Sequence, residues 1–410
     1  MSGFGPFGAG DPFGGMPFFA DLAKMLSQQG PVSWDAARQL AASIATGGES
    51  EPNVDPLDRI QFEQLARVAD LHVGSTTGLS TSQSGRLEIA PVTRTEWINR
   101  SLEVYRPLIE SIAASLGVDE ATGDDLSTGS GLPMTPDAET DPDAQLDAWL
   151  GGMMHVLAPM MLGMTAGSML GHLAARSFGQ YDLPVPRPGS DEVVVVVRNL
   201  DEFGTEWSLE RDELRLWICL HEITHHAVLG IPHVRRRLQD LLADLAGGFE
   251  PDTRGLEDRL GDIDPSDPQG LSSLQSMFGD PEALLGAIRS PSQLARLPEL
   301  EALTAVIVGY VDWVMDTIGG RLMASYGQIT EALRRRRVEE APSDRFVGQL
   351  LGLDLRQEHY DRGAAFIDGV VERAGIDALD RLWKSERELP TPNEVDAPGL
   401  WLARIDIPGL

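Results

Sequence analysis

The chain has 410 residues, 42% of them hydrophobic and 23% charged, a globular composition with room for a large core and at most two or three domains. Its 33 Lys and Arg against 63 Asp and Glu leave a net charge of −30, which repels nucleic acid and anionic lipid and argues against both as partners. The single cysteine, Cys219, excludes an intrachain disulfide framework and a zinc site built from several thiolates. With a start that lacks the basic cluster and apolar run of a leader, it points to the cytoplasm.

Residues 1–30 read as a flexible Gly/Phe/Pro arm. An N-terminal helical region follows over 31–117. Apolar residues recur at helical spacing from Trp34 to Ala45 and from Pro56 to Val73, and a further helix is expected across Glu96 to Leu116. Asp55 before Pro56 is a helix start, because proline is tolerated in the first turn. Residues 118–143, rich in Asp, Gly, Thr and Pro, read as an acidic linker or loop. The rest, 144–410, reads as one functional domain with a docked C-terminal tail.

That domain opens with a Met-rich segment, Leu150 to Ala175, uncharged with His155 and His172 neutral and long enough to cross a bilayer. Five glycines, Pro159 and the two histidines favour a buried soluble helix instead, so no membrane span is expected. Gly163, Gly167 and Gly171, four residues apart, invite close approach of another helix. Its methionines, among them Met160, Met164 and Met169, read as adaptable core filling. Val193–Val197 is the one clear strand, a β-branched run bounded by turn residues. Residues 249–296 are acidic and broken by Pro and Gly, and helices resume over Leu297–Ile318, Tyr326–Val338 and Glu358–Ala374. The fold class is mainly α, with a small β element ahead of the helix that carries the chemistry.

That helix contains "LHEITHHAVLG", residues 220–230. It is apolar nearly all round and therefore buried; Gly230 and Pro232 are expected to end it as a left-handed cap and a breaker. His221 and His225 stand one turn apart, a geometry that suits two imidazole nitrogens on one Zn²⁺ at about 2.0–2.1 Å. Glu222 projects about 100° away. It stays out of the ligand set but can reach a water polarised by the metal, as a catalytic general base. His226 points elsewhere on the helix and reads as a supporting or surface residue. The other reading is a core helix whose histidines merely find hydrogen-bond partners.

Zinc needs a third protein ligand. In one large group of zincins it is a Glu on a later helix, in a Glu-Gly-aromatic setting, with an acidic residue one turn on that steadies a ligand histidine. "LTAVIVGYVDWVMD", Leu303 to Asp316, resembles this, with Gly309, Tyr310 and Asp312 in place but Val308 where Glu is wanted. The stretches "GPVSWDAARQLA", "GQYDLPVPRPGSDEVVVVVRNLDEF", "DELRLWICLHEITHHAVLGIPHVR", "GYVDWVMDTIGGRL", "LRRRRVEEAPSDRFVGQLLGLDL" and "LPTPNEVDAPGLW" together resemble the actinobacterial zincin-like metallopeptidases. Some of these carry a label linking them to biosynthesis of a deazaflavin coenzyme. The resemblance implies a zincin-like helical fold, zinc by motif and no settled substrate. Asp312 then either enters the metal's ligand set, steadies His221 or His225 from behind, or is structural.

The function expected is a zinc-dependent hydrolase of the metallopeptidase type acting on a peptide or protein, with Val193–Val197 aligning an extended substrate by main-chain pairing. The alternative is a catalytically impaired relative that binds or scaffolds, because Val308 cannot bind metal. Arg334–Arg337 reads as a solvated helix face, with a site for an anionic ligand or partner as the alternative. Cys219 reads as a buried inert thiol.

Overall fold

The computed structural model describes residues 30–117, 142–187, 189–251, 287–338, 348, 350–353 and 355–407. The N-terminal arm up to residue 29 and most of the two acidic stretches, 118–141 and 252–286, lie outside the described residues. The architecture is mainly α, with two short pairs of strands.

Helix α1 (Trp34–Thr46) lies along α4, the Met-rich helix, which runs from Pro142 to Arg176. The three glycines make this contact. A Cβ on Gly163 would meet Ser33 O at 2.5 Å, one on Gly167 Ala37 O at 2.6 Å, and one on Gly171 the Ile44 Cβ at 2.8 Å. The close helix approach read from their spacing is thus present, inside the protein. The methionines divide. Met169 is buried, but Met160 and Met164 are 43% and 44% exposed, because they stand off the glycine face that α1 covers. Helix α2 (Pro56–Thr77) starts as expected, Asp55 accepting from Leu57 N at 2.8 Å with Pro56 in the first turn.

Strand β2 (Glu192–Val196) is one residue short of the run of valines. Val197 instead begins helix α5 (Val197–Glu206). The partner of β2 is β1 (Glu88–Val92), parallel and in register from Glu88↔Glu192 to Val92↔Val196. A parallel pair needs a long crossover, and helix α3 (Arg94–Ser115) and α4 supply it. The other edge of β2 is also taken. Val196 N donates to Phe178 O at 2.7 Å, and Gly179 bridges Val195 in antiparallel sense. Val193–Val197 therefore offers no open edge to an incoming peptide.

Helix α6 (Arg211–Gly230) carries the two histidines, and fourteen of its 20 residues are buried. Its first turn is capped by Glu210, which accepts from Glu213 N at 2.7 Å. The fully buried Arg215 ties this end to Asp58 of α2 at 2.7 Å and Asp201 of α5 at 3.1 Å. Gly230 is still helical rather than left-handed. The helix stops at Ile231, with φ −67° and ψ 120°, because Pro232 opens the next helix, α7 (Pro232–Ala246).

After the antiparallel pair β3 (Phe249–Pro251) and β4 (Ala287–Arg289) comes α8 (Pro291–Leu322), opened by a Ser290–Gln293 capping box. Among the described residues α8 is the helix long and apolar enough to cross a membrane, and 78% of its most apolar window is buried inside the protein. It packs on α6, on α7 and on α10 (Gln357–Ala374). At the last contact Gly309 and Gly363 bring the two backbones together, leaving no room for a Cβ at either position. Helix α9 (Tyr326–Val338) matches its predicted bounds. The tail ends in α11 (Pro392–Asp396) and α12 (Pro398–Ile405). Trp401 is fully buried, edge-on to Phe366, and donates to Glu388 O at 2.7 Å. One contiguous apolar core runs from Val32 to Trp401.

Candidate metal centre

His221 and His225 face each other across one turn of α6, ring centroids 4.4 Å apart and tilted by 55°. His225 is 2% exposed and the His221 side chain 13%. The Nδ1 of His221 lies 3.1 Å from Glu222 Oε1, and that of His225 lies 3.2 Å from His221 O. Both partners are oxygens, which favours the proton on Nδ1; a neutral ring in that tautomer keeps its lone pair on Nε2. Burial, then the neighbouring His221, pushes the His225 pKa well below the usual imidazole value. It is neutral at pH 7, the form that binds metal. Trp217 stacks on His221 at 4.9 Å, and its buried Nε1 has no acceptor.

Glu222 is fully buried, with Oε1 against His221 and Oε2 turned to the segment after α4. Its Oε2 accepts from Gln180 N at 2.7 Å and Tyr181 N at 3.0 Å. Gly179 permits this. A Cβ there would sit 2.6 Å from Oε2 and 2.8 Å from Oε1. The segment is itself folded tightly, Asp182 Oδ1 accepting from Phe178 N at 3.0 Å and Gly179 N at 3.2 Å. Trp97 Nε1 donates to Gly179 O at 2.8 Å. Burial raises the Glu222 pKa, and the contact with His221 opposes the rise.

Tyr181 stacks nearly parallel on His225, 5.9 Å away at 14°, and its hydroxyl donates to His226 Nδ1 at 2.9 Å. The other nitrogen of His226 faces Asp191 at 3.8 Å. His226 is thus a buried hydrogen-bonding residue and takes no part in the pair. Cys219 is fully buried, its thiol pKa pushed up by desolvation, an inert core residue.

Asp312 is held elsewhere, with Oδ2 and Oδ1 3.4 and 3.5 Å from the Arg337 guanidinium. Val308, where the third ligand is wanted, is buried yet lies outside the contiguous apolar core. No group of three His, Cys, Asp or Glu among the described residues is placed to hold a metal ion. The donor chemistry therefore fits zinc at two positions, both imidazole, and lacks the third.

The basic run departs from the solvated face expected of it. Arg335 is exposed and pairs with Glu331. Arg336 instead turns inward, 3.6 Å over the Phe178 ring and bonded to Arg176 O, and 3.7 Å from Asp182. Arg337 lies 3.7 Å over the Tyr360 ring as well as against Asp312. A run of like charges carries no signal in sequence that distinguishes which members turn in. The faces are set by aromatic partners far along the chain.

A family model described as zincin-like metallopeptidase matches residues 32–402. The fold resembles a crystal structure from Chloroflexus aurantiacus described as "a putative hydrolase with a novel fold", with TM-score 0.62 and 22% identity over 92% of this chain and 100% of the other. Among curated proteins nothing matches.

Proposed function

We propose that this chain, which belongs to the zincin-like metallopeptidase family, is a zinc-dependent hydrolase of peptide or protein amide bonds. His221 and His225 are the zinc ligands and Glu222 the acid–base group. The observation that carries this reading is that both imidazoles use Nδ1 on protein oxygens and keep Nε2 for a cation. This is the arrangement in which an outer hydrogen bond fixes a ligand's tautomer.

Zinc, when bound, supplies Lewis acidity that polarises a carbonyl and acidifies water. The chain's own residues do the rest. The His221 Nδ1–H donates to Glu222 and so orients both side chains. The Gln180 and Tyr181 amides hold the carboxylate from behind. Burial raises its pKa above the usual carboxylate value, the direction that suits a group which takes up a proton. Tyr181, stacked on His225, keeps water from that ring's outer face. Asp312 joins the ligand set only by leaving Arg337. A cytoplasmic setting goes with this proposal; the deazaflavin label attached to the resemblance does not.

A second reading, a relative impaired in catalysis that binds or scaffolds, is favoured by Val308 and by the two amides that engage Glu222 Oε2. Zinc content and peptide hydrolysis, measured on protein purified without chelators, separate the two. Hydrolysis by the wild type that Glu222→Gln abolishes while zinc is retained supports the hydrolase. Zinc binding without hydrolysis of any peptide in a random library supports the impaired relative.

A further inference from the structure

We infer that the hydrolase selects substrates bearing a carboxylate, received in a cationic cavity that one segment links to His225 and Glu222. The inference rests on the hydrolase reading above. The cavity, about 60 Å³, is lined by Arg176, Ser177, Asp182, Arg337 and Tyr360, with Leu183 among its apolar walls. Since a water takes about 30 Å³ of liquid, the space suits one small planar group.

Arg337 is built for such a group. Its guanidinium lies 3.7 Å over the Tyr360 ring, which fixes the plane of the fork. Its contacts to Asp312, 3.4 and 3.5 Å, are long beside the about 2.7–2.9 Å of a tight charge-assisted pair. A carboxylate entering from the cavity can therefore gain the close bidentate contact that Asp312 does not make. Arg336, 3.7 Å from Asp182, offsets the carboxylate that lines the space among the described residues. Among the described residues that line the space, Arg176 and Arg337 are cationic and Asp182 is anionic, in a chain whose net charge is −30. On so acidic a chain a cationic pocket confers selectivity for anions. One segment links the cavity to the site: Asp182, in its lining, directly follows Tyr181, which stacks on His225 and donates its amide to Glu222.

The carboxylate has two possible sources, a peptide's C-terminus or an acidic side chain. Calorimetry on the metal-free protein with three probes distinguishes them: N-acetyl-leucine, N-acetyl-glutamic acid α-amide and the neutral N-acetyl-leucinamide. One or both acids should bind at least tenfold more tightly than the neutral probe, and whichever is tighter names the source. Arg337→Met should erase the preference and Arg337→Lys restore part of it. Leu183→Phe, which fills the cavity without touching a charge, should weaken the acids also. Equal binding of all three probes overturns the inference, as does a preference that survives both Arg337→Met and Leu183→Phe in folded protein. With the zinc-loaded enzyme, free-acid peptides should show a KM at least tenfold below their amides at similar kcat; equal KM overturns the inference. Acid-selective binding without any hydrolysis instead supports the cavity and overturns the hydrolase reading.

Discussion

Gly179→Ala tests how Glu222 is held. The new Cβ would stand 2.6 and 2.8 Å from the two carboxylate oxygens, well inside the roughly 3.5 Å of unstrained contact. The carboxyl group must retreat by most of an ångström. Oε2, now 2.7 and 3.0 Å from the Gln180 and Tyr181 amides, then leaves hydrogen-bonding range of both. Overpacking costs about 1–3 kcal/mol and each buried donor left unsatisfied about 1–3 kcal/mol. These terms overlap, so the expected loss is about 3–5 kcal/mol. The assay is a double-mutant cycle by urea denaturation, with Glu222→Ala as the second change. With the carboxylate gone the added methyl has space, and Gly179→Ala should then cost about 1 kcal/mol or less. A coupling of about 2 kcal/mol or more is expected. Equal cost in both backgrounds would refute the reasoning.

Other consequences are measurable. Val308→Glu, which puts a carboxylate where the family resemblance expects the third ligand, should raise zinc affinity at least about tenfold in a chelator competition. His225, held well below its usual 6.5 by burial and then by His221, binds no proton in the folded state where the unfolded chain does. Stability should therefore decline as pH falls below 6.5, and His225→Gln should flatten part of that slope in acid titrations followed by circular dichroism. Some slope should remain from His226, whose pKa burial also lowers. Trp401→Ala removes a fully buried ring and its bond to Glu388 O, and should cost about 3–5 kcal/mol in the same denaturation assay.

Much of the helical framework was legible in the sequence because its signals are local. Asp55–Pro56 starts a helix, and the spacing of Gly163, Gly167 and Gly171 announces a close helix contact. β1 was not legible. Five residues containing Pro91 become a strand only when β2 arrives alongside, after a crossover of two helices. Val197 was read as strand because β-branched runs carry that propensity, yet β2 ends at Val196 and α5 begins without a side-chain cap. Gly230 was read as a left-handed cap, but Pro232 stops the helix without needing one.

The site divides in the same way. The i, i+4 spacing of His221 and His225 is a local fact of helix geometry and puts them face to face. The destination of Glu222 is not local. It depends on Gly179 and the two amides that follow, more than 40 residues earlier in the chain. The spacing leaves Asp312 open as a ligand, a support for one or a structural residue, and the structure ties it to Arg337 from the basic run. Nothing in the spacing of Arg334–Arg337 foretells that two of the four turn inward onto Phe178 and Tyr360.

X-ray absorption at the zinc edge, on protein loaded with one equivalent of Zn²⁺, tests the two-imidazole site most directly. Two imidazole ligands at about 2.0–2.1 Å, reduced to one in His221→Ala and again to one in His225→Ala, are the result expected. Stoichiometric zinc whose coordination is unchanged in both variants, or a wild type that takes up no zinc, would contradict it.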